Sequence, residues 1–416
     1  MNLLTWLFLA ALLLSSTLRA WLAWRQIRHV RTHRNAVPVA FVAGIELPAH
    51  QKAADYTVAK THLGLVNLGL DLALVLGWTV GGGLGILDTL WRQTAAGPLS
   101  IGVSVIASYA LIGALIGLPL SIWSTFVTEA RFGFNRTAIK TFALDIFKML
   151  LLAIILGVPL LYAALWLMQE SGMLWWLYVW LLWMGFSLAI TWAWPVFIAP
   201  LFNRFSPLAD EALKLRIEAL LSRCGFASRG VFVMDGSARS AHGNAYFTGF
   251  GQHKRIVFFD TLMEKLAPEE IEAVLAHELG HFRLHHVIQR LVVTAVLSLA
   301  GLGLLGWLAG KPWFYHGLGV PHASPYMALL LFTLLLPPFL FVLEPVMSAW
   351  SRKHEFQADA YATRQADTAA LIRALVKLYR DNANTLTPDP WHSLFHDSHP
   401  PASVRIARLQ TISDPI

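Results

Sequence analysis

The sequence predicts a predominantly α-helical membrane protein with seven transmembrane helices and a small cytoplasmic α/β segment. The first observation is its composition: 56% of the 416 residues are hydrophobic and 14% are charged, whereas about 25% of a soluble globular chain is charged. The second observation is a set of apolar runs long enough to cross a bilayer, which takes about 20 helical residues. The predicted spans are 3–24, 63–91, 101–127, 147–168, 174–197, 287–309 and 326–350.

The first apolar run is interpreted as a membrane anchor. Met1 and Asn2 carry no basic side chain, the run is too long for a signal peptide, and no small-residue cleavage pattern follows it. The mixed segment that ends near His62 is predicted to form a helix along the membrane interface. A glycine triplet at 81–83 lies inside the second predicted span and indicates a packing or kink site.

Basic residues indicate the orientation of the spans. Arg25, Arg28, Arg31 and Arg34 follow the first span, and the segment after the fifth span is also basic. Because cytoplasmic loops are rich in Lys and Arg, we expect the amino terminus outside and the carboxyl terminus in the cytoplasm. The short connection before the last span and the lack of a retrieval signal at the carboxyl terminus favour a bacterial inner membrane. The endoplasmic reticulum membrane is the alternative.

The net charge of +7 is explained by this bias and by attraction to anionic lipid head groups. No basic face interleaved with aromatic residues suggests a nucleic-acid partner. The single cysteine, Cys224, excludes an intrachain disulfide and is expected to be an inert thiol. Membrane lipid is therefore the partner that composition alone indicates.

The chain is expected to divide into four parts. Residues 1–202 hold five spans and the interfacial segment, 203–286 form a cytoplasmic α/β segment, 287–350 hold the last two spans, and 351–416 form cytoplasmic helices. Within the α/β segment, the patterns predict a helix over 210–224, strands near 231–234, 244–250 and 256–259, and then a further helix. After residue 351 they predict helices near 355–361 and 368–379, then a polar linker with Asn and Pro, and a last segment over 391–408.

The helix that follows the strands carries the sequence His277-Glu278-Leu279-Gly280-His281. Residues four apart share a helix face, so the two imidazoles can bind one ion, with Glu278 beside it. Zinc with three protein ligands acidifies a water and needs a carboxylate to accept the proton, a role that suits Glu278. This pattern predicts a hydrolase with one zinc ion.

A third ligand is needed, and the best candidate lies in the breaker-free stretch His354-Glu355-Phe356-Gln357-Ala358-Asp359. Glu355 and Asp359 share a helix face, which suits Glu355 as an oxygen ligand and Asp359 as the acceptor of a histidine N–H. An ordinary solvated helix with two carboxylates explains the spacing equally well. His399, before Pro400, reads on its own as a capped turn.

Taken together, these motifs resemble the integral-membrane CAAX prenyl proteases of type 1. The stretches that carry the resemblance are APLFN at 199–203, SAHGNAYFTGF at 240–250, HELGH at 277–281, EFQADAYA at 355–362, DSHPP at 397–401, and Glu129 with FGFN at 132–135. They occur in the family's order, in a chain with the family's seven-span hydropathy.

The resemblance implies that zinc is bound by His277, His281 and Glu355. It also implies that Glu278 is the general base and that Asp359 is catalytic through a zinc-bound histidine or proton transfer. It raises His399 to a donor near the oxyanion, with Arg405 a weaker candidate.

For the substrate, the resemblance implies that Asn244 and Ala245 lie on an edge strand that pairs with an extended peptide. The family's fold implies a ring of seven helices around a water-filled chamber, with the zinc site on the cytoplasmic side.

The expected activity is peptide-bond hydrolysis by a membrane-embedded zinc endopeptidase. Its peptide or protein substrate is either prenylated at the carboxyl terminus or, in a bacterium, a membrane protein under quality control. Gly243 stands where the family has serine, and Thr248 where tyrosine is common, so substrate selection is not fixed by the motif. A non-enzymatic transporter or lipid-handling protein with a structural metal is the alternative, and a catalytically silent binding protein is a second.

Overall fold

The computed structural model describes residues 1–226, 230–248 and 255–413. Seven helical segments are long and apolar enough to cross a membrane, which confirms the predicted number of spans. They are Leu3–Thr32, Leu47–Trp78, Pro98–Glu129, Ile139–Glu170, Gly172–Phe202, His286–Leu308 and Pro325–Ala362.

The helices are numbered in chain order. In the first half they are α1 (Leu3–Thr32), α2 (Leu47–Trp78), α3 (Gly83–Arg92), α4 (Pro98–Trp123), α5 (Ile139–Leu152), α6 (Val158–Glu170), α7 (Trp175–Ala193) and α8 (Ala199–Phe202). In the second half they are α9 (Glu211–Arg223), α10 (Asp260–Met263), α11 (Pro268–Arg283), α12 (His286–Leu308), α13 (Pro312–His316), α14 (Pro325–Leu340), α15 (Glu344–Ala362), α16 (Thr368–Asp381), α17 (Pro390–His396) and α18 (Ala402–Ser413).

The second span differs from its prediction. Helix α2 begins at Leu47 and absorbs the segment expected to lie along the interface, and it ends at Trp78. The backbone of Gly82 has a φ of 78°, in the left-handed region that favours glycine, and α3 starts at the next residue. The glycine triplet therefore ends the span, because a turn rather than a kink forms there.

The seventh span continues into the predicted EFQADAYA helix. Pro337 and Pro338 lie near the end of α14, and a single 3₁₀ turn, Phe341–Leu343, separates α14 from α15. Proline removes a backbone donor, which accounts for the break at this point. Helix α15 then runs without interruption to Ala362, so one segment leads from the membrane to the candidate third ligand.

Four short strands form one sheet before α11. They are β1 (Phe205–Pro207), β2 (Val231–Met234), β3 (Ala245–Thr248) and β4 (Arg255–Phe259), in the spatial order β1-β2-β4-β3. Strand β4 is parallel to β2 and antiparallel to β3, which lies at the edge of the sheet with Ala245 opposite Phe258. The prediction of a strand over 244–250 falls partly on residues 249 and 250, which lie outside the described residues.

The two largest hydrophobic cores of the described residues lie in different parts of the chain. One lies among the membrane helices and includes Phe8, Leu165 and Met327. The other joins the sheet to the helices around it, with Phe258, Leu275 and Leu371 among its buried members. Helix α11 is therefore fixed on its apolar side by the second core, while its opposite face is available to the site.

Candidate active site

Helix α11 presents the HELGH residues from a well-defined start. Pro268 occupies the first helical position, which suits a residue without a backbone donor. The carboxylate of Glu270 accepts the backbone N–H of Ala267 at 2.8 Å, which caps the first turn. His277 lies nine residues after Pro268, and its imidazole is buried. His281 lies one turn later on the same face of the helix.

Helix α15 packs directly on α11 at this point, and Gly280 makes the contact possible. A Cβ atom at Gly280 would lie 2.9 Å from Cα of Ala358 and 3.1 Å from its carbonyl oxygen. The glycine within HELGH is therefore required by the close approach of two helices. That approach brings Glu355 of α15 to the two histidines.

The predicted ligand atoms converge. Nε2 of His277 and Nε2 of His281 lie 3.3 Å apart, and each lies 3.4 Å from a carboxylate oxygen of Glu355. One donor atom from each of the three residues lies within 4.8 Å of the others. Oε2 of Glu355 is buried without a hydrogen-bond partner. A buried carboxylate whose two oxygens each face one imidazole nitrogen matches the nitrogen and oxygen donors that zinc accepts.

Asp359 holds the other ring nitrogen of His277. Oδ1 of Asp359 lies 2.9 Å from Nδ1 of His277, and both carboxylate oxygens accept hydrogen bonds from Arg405, at 2.8 and 2.5 Å. Burial alone lowers the pKa of His277, but hydrogen bonds to Asp359 and Glu355 outweigh it and raise the pKa to about 9 in the metal-free chain. Arg405 thus orients Asp359 rather than projecting freely into the cleft.

His281 has a partner that the sequence analysis missed. Its Nδ1 lies 3.0 Å from Nδ1 of buried His286, whose Nε2 lies 3.0 Å from Oε1 of Gln357. The amide oxygen of Gln357 accepts an N–H from His286, and His286 can then accept an N–H from His281. This arrangement leaves the Nε2 lone pair of His281 facing the candidate metal site. The signal in the sequence was His286 itself, five residues after His281.

Glu278 and His399 line a cleft of about 290 Å³ beside the predicted ligands. Glu278 is half-buried, and His399 approaches from the segment between α17 and α18, with its side chain 63% exposed and Nε2 3.5 Å from Oε1 of Glu355. Oγ of Ser398 lies 3.0 Å from Nδ1 of the same imidazole. The structure therefore brings both predicted catalytic side chains to the cleft that contains His277.

Asn244 and Ala245 line the same cleft, where β3 begins at the edge of the sheet. Asn382, which the sequence analysis did not identify, exchanges two hydrogen bonds with the backbone of Gly243, at 3.0 and 3.2 Å. These bonds fix the start of β3 next to α16. An extended peptide could pair with the free side of an edge strand in this position.

The motif at Glu129 contacts the same loop from the membrane half. The carboxylate of Glu129 accepts a hydrogen bond from the hydroxyl of Tyr56 at 2.6 Å and lies 3.5 Å from Nε2 of His242. The ring of His242 stacks on Phe134, with centroids 4.2 Å apart. The loop that leads into β3 therefore contacts the second and third spans through His242.

Comparison with known proteins gives the family. A model of the CAAX prenyl protease N-terminal region, described as five membrane helices, matches residues 26–204, and a model of peptidase family M48 matches residues 207–413. A CAAX prenyl protease 1 homolog of Oryza sativa is 33% identical over an alignment of 394 residues, and the match covers 92% of each chain. The CAAX prenyl protease 1 of Saccharomyces cerevisiae is 38% identical over 321 residues, 73% of this chain and 70% of its own.

A solved structure agrees with both results. The crystal structure of S. mikatae Ste24p matches with a TM-score of 0.92 and 30% sequence identity, covering 98% of this chain and 99% of that chain. The comparisons confirm the predicted resemblance, the fold class and the assignment to an enzyme family. The chain therefore belongs to the CAAX prenyl protease family of M48 peptidases and is a multi-pass membrane zinc metalloprotease that acts on peptide or protein substrates.

Proposed function

We propose that the protein holds one zinc ion through His277, His281 and Glu355 and cleaves peptides near a prenylated carboxyl terminus. The convergence of these donor atoms within 4.8 Å is the observation that carries the proposal. Zinc bound there would supply a Lewis acid that polarises the peptide carbonyl and acidifies water. Side chains of the protein carry out proton transfer and stabilise the developing negative charge, as described below.

Glu278 acts as the general base and later as the general acid. Its half-buried carboxylate lines the cleft next to His277, so it takes a proton from the attacking water and returns it to the leaving amine. His399 donates a hydrogen bond to the carbonyl oxygen as negative charge develops on it. The 63% exposure of His399 leaves its ring accessible to a substrate.

Asp359 acts through His277. Its carboxylate accepts the Nδ1–H of His277 at 2.9 Å, which fixes the tautomer that leaves Nε2 free to bind zinc. Arg405 maintains the orientation of Asp359 through two hydrogen bonds. Asn244 and Ala245 hold the substrate backbone at the edge of β3.

The substrate class and the membrane are parts of the same proposal. The relatives are named CAAX prenyl proteases, which supports a prenylated carboxyl-terminal peptide as substrate and removal of the terminal tripeptide. Quality control of membrane proteins in a bacterial inner membrane is the second candidate. We propose the orientation with the amino terminus outside and the active site in the cytoplasm, which the basic residues after the first span support. The endoplasmic reticulum membrane is the alternative location.

The test uses a farnesylated CAAX peptide and its unprenylated twin with purified wild-type and Glu278→Gln protein. We expect cleavage confined to the farnesylated peptide and abolished by a zinc chelator. Glu278→Gln should retain zinc, because Glu278 is not a proposed ligand, and should lose turnover by at least about a hundredfold.

Equal cleavage of both peptides would retain the metalloprotease and favour quality control. Wild-type turnover by Glu278→Gln would refute the mechanism. Measurement of bound zinc in the variant is the control, because loss of the metal would explain inactivity without any role for the carboxylate.

A further inference from the structure

A second, polar pocket of about 400 Å³ adjoins the catalytic cleft. The two share three lining residues: Tyr379, Asn384 and His399. A peptide segment that extends past His399 on this side would therefore pass from the catalytic cleft into the polar pocket. The far wall of this pocket is formed by α2, through Tyr56, Thr57 and Lys60.

Lys60 is the unusual member of this wall. It lies near the middle of α2, about 20 Å along the helix from Leu47 at about 1.5 Å per residue. Its side chain is exposed, and its ammonium lies 5.0 Å from the centre of the Tyr56 ring. In the part of the chain that the structure describes, no carboxylate oxygen lies within 4.0 Å of this ammonium. A lysine in a membrane-spanning helix normally faces water or an anionic group.

The other ionisable residues of the pocket do not supply that anion. Loss of hydration lowers the pKa of both His392 and His396, so these rings are neutral at pH 7. Asp397 is the one carboxylate among the described residues that line this pocket, and it is covered by the 4.0 Å limit given above for the Lys60 ammonium. Glu129, beneath Tyr56, already accepts the tyrosine hydroxyl at 2.6 Å.

We infer that Lys60 binds the free carboxylate at the end of the peptide substrate. The inference rests on the proposed function, in which a short carboxyl-terminal fragment is released. Three extended residues span about 10 Å, so a carboxylate at the end of a tripeptide lies one short segment beyond the scissile carbonyl. A cation in the pocket next to the cleft would then determine how many residues separate the cleaved bond from the carboxyl terminus of the substrate.

The experiment compares one peptide in three forms: with a free terminal carboxylate, as the terminal carboxamide, and extended by two residues. The full-length purified enzyme is assayed with each, and kcat and KM are determined separately. We expect the wild type to favour the free acid over the carboxamide by about tenfold in kcat/KM, mainly through KM, because a charge-assisted hydrogen bond is lost in the amide.

Lys60→Met should remove this preference by raising KM for the acid, with hydrolysis of the carboxamide unchanged. Lys60→Arg should retain most of it, because the positive charge remains. Lys52→Met is the matched control: Lys52 lies two turns earlier on α2, also above an aromatic ring, 4.7 Å from the centre of Phe134, and lines neither cavity. It should leave the acid preference intact.

The outcomes separate the inference from the function. If the wild type cleaves acid and carboxamide equally well, or if Lys60→Met keeps the preference, the role of Lys60 is refuted and the protease stands. If the wild type cleaves no form of the peptide, the proposed function fails, and the inference fails with it. Unchanged carboxamide hydrolysis in Lys60→Met excludes misfolding as the cause of a selective loss.

Discussion

At the scale of single residues, His277 has the most closely defined surroundings in the cleft. Nδ1 faces Asp359 at 2.9 Å, and Nε2 faces both His281 and Glu355. The two carboxylates raise its pKa to about 9 despite burial. Without a metal, this ring is therefore positively charged at neutral pH, whereas an imidazole that binds zinc must be neutral.

Zinc binding to the metal-free protein at about pH 7 should consequently release a proton from His277. The sign follows from a pKa above the working pH: the ring is protonated before binding and neutral after it. Apparent zinc affinity should decline as the pH is lowered below about 9. Calorimetric titration in buffers of different ionisation enthalpy measures the proton release. Asp359→Asn is the control, since loss of this carboxylate should lower the pKa of His277 and reduce the release; identical release in both proteins would contradict the assignment.

His399→Ala tests the proposed oxyanion donor. We expect kcat to decrease by about 10²- to 10³-fold, the usual cost of removing such a donor. Bound zinc should stay at the wild-type level, because three other residues are the proposed ligands. Steady-state kinetics and metal analysis check both points. His322→Ala, at an exposed histidine in the connection before the last span, is the matched control, and equal kcat in the two variants would argue against a role for His399.

At the scale of elements, the prediction succeeded where a pattern is local. The predicted helix that carries HELGH and the predicted strands at 231–234 and 256–259 are all present in the structure. Each was predicted from the pattern of its own residues. The prediction of the second span was wrong at both ends. At its start, α2 joins an amphipathic stretch to the apolar one, and at its end the glycines that were interpreted as a kink form a turn. Hydropathy alone does not distinguish an interfacial helix from the start of a span, or a kink within a span from the turn that ends it.

The spacing of residues in the sequence could not predict contacts between distant elements. An ExxxD pattern fits many solvated helices, and only the packing of α15 on α11 brings Glu355 to the HELGH histidines. Tertiary packing likewise brings His286 to His281 and Asn382 to Gly243. The resemblance to a family predicted Glu355 as the third ligand, where the residues alone left that choice open.

Gly280→Ala tests that packing. The added methyl group would lie 2.9 Å from Cα of Ala358, so the helices must separate, at a cost of about 1–3 kcal/mol in the free energy of unfolding. Because Glu355 moves with α15, zinc affinity should fall as well. Thermal unfolding in detergent and metal titration measure the two effects. Gly64→Ala is the control, because a Cβ there meets nothing within 4 Å; matching behaviour of the two variants would show that the close approach is not needed.

At the scale of the whole molecule, polar contacts join the membrane helices to the part of the chain that carries the sheet and the cleft. Asp145 of α5 pairs with Arg239 at 2.8 Å, and Arg25 of α1 pairs with Asp389 before α17 at 2.9 Å. Together with the contact between Glu129 and His242, they connect the first, third and fourth spans to the residues around the cleft. All of these contacts lie on the side that the basic residues assign to the cytoplasm.

The proposed orientation can be tested with single cysteines in a Cys224→Ser background. Val39, between the first two spans, and Met173, in the 3₁₀ turn that begins the fifth, are each 93% exposed. In intact cells or sealed vesicles of known orientation, an impermeant maleimide applied outside should label Met173→Cys and not Val39→Cys. Solubilised protein, in which both positions should react, is the control. The reverse pattern would require an inverted topology.

The division of the proposed zinc ligands between α11 and α15 bears on how the protein is made. His277 and His281 precede the sixth span, and Glu355 lies near the end of the seventh. During synthesis, both of these last spans must enter the bilayer before the carboxylate can reach the histidines. An incompletely inserted chain therefore lacks its third ligand, and the growing polypeptide emerges from the ribosome without an assembled protease that could attack it.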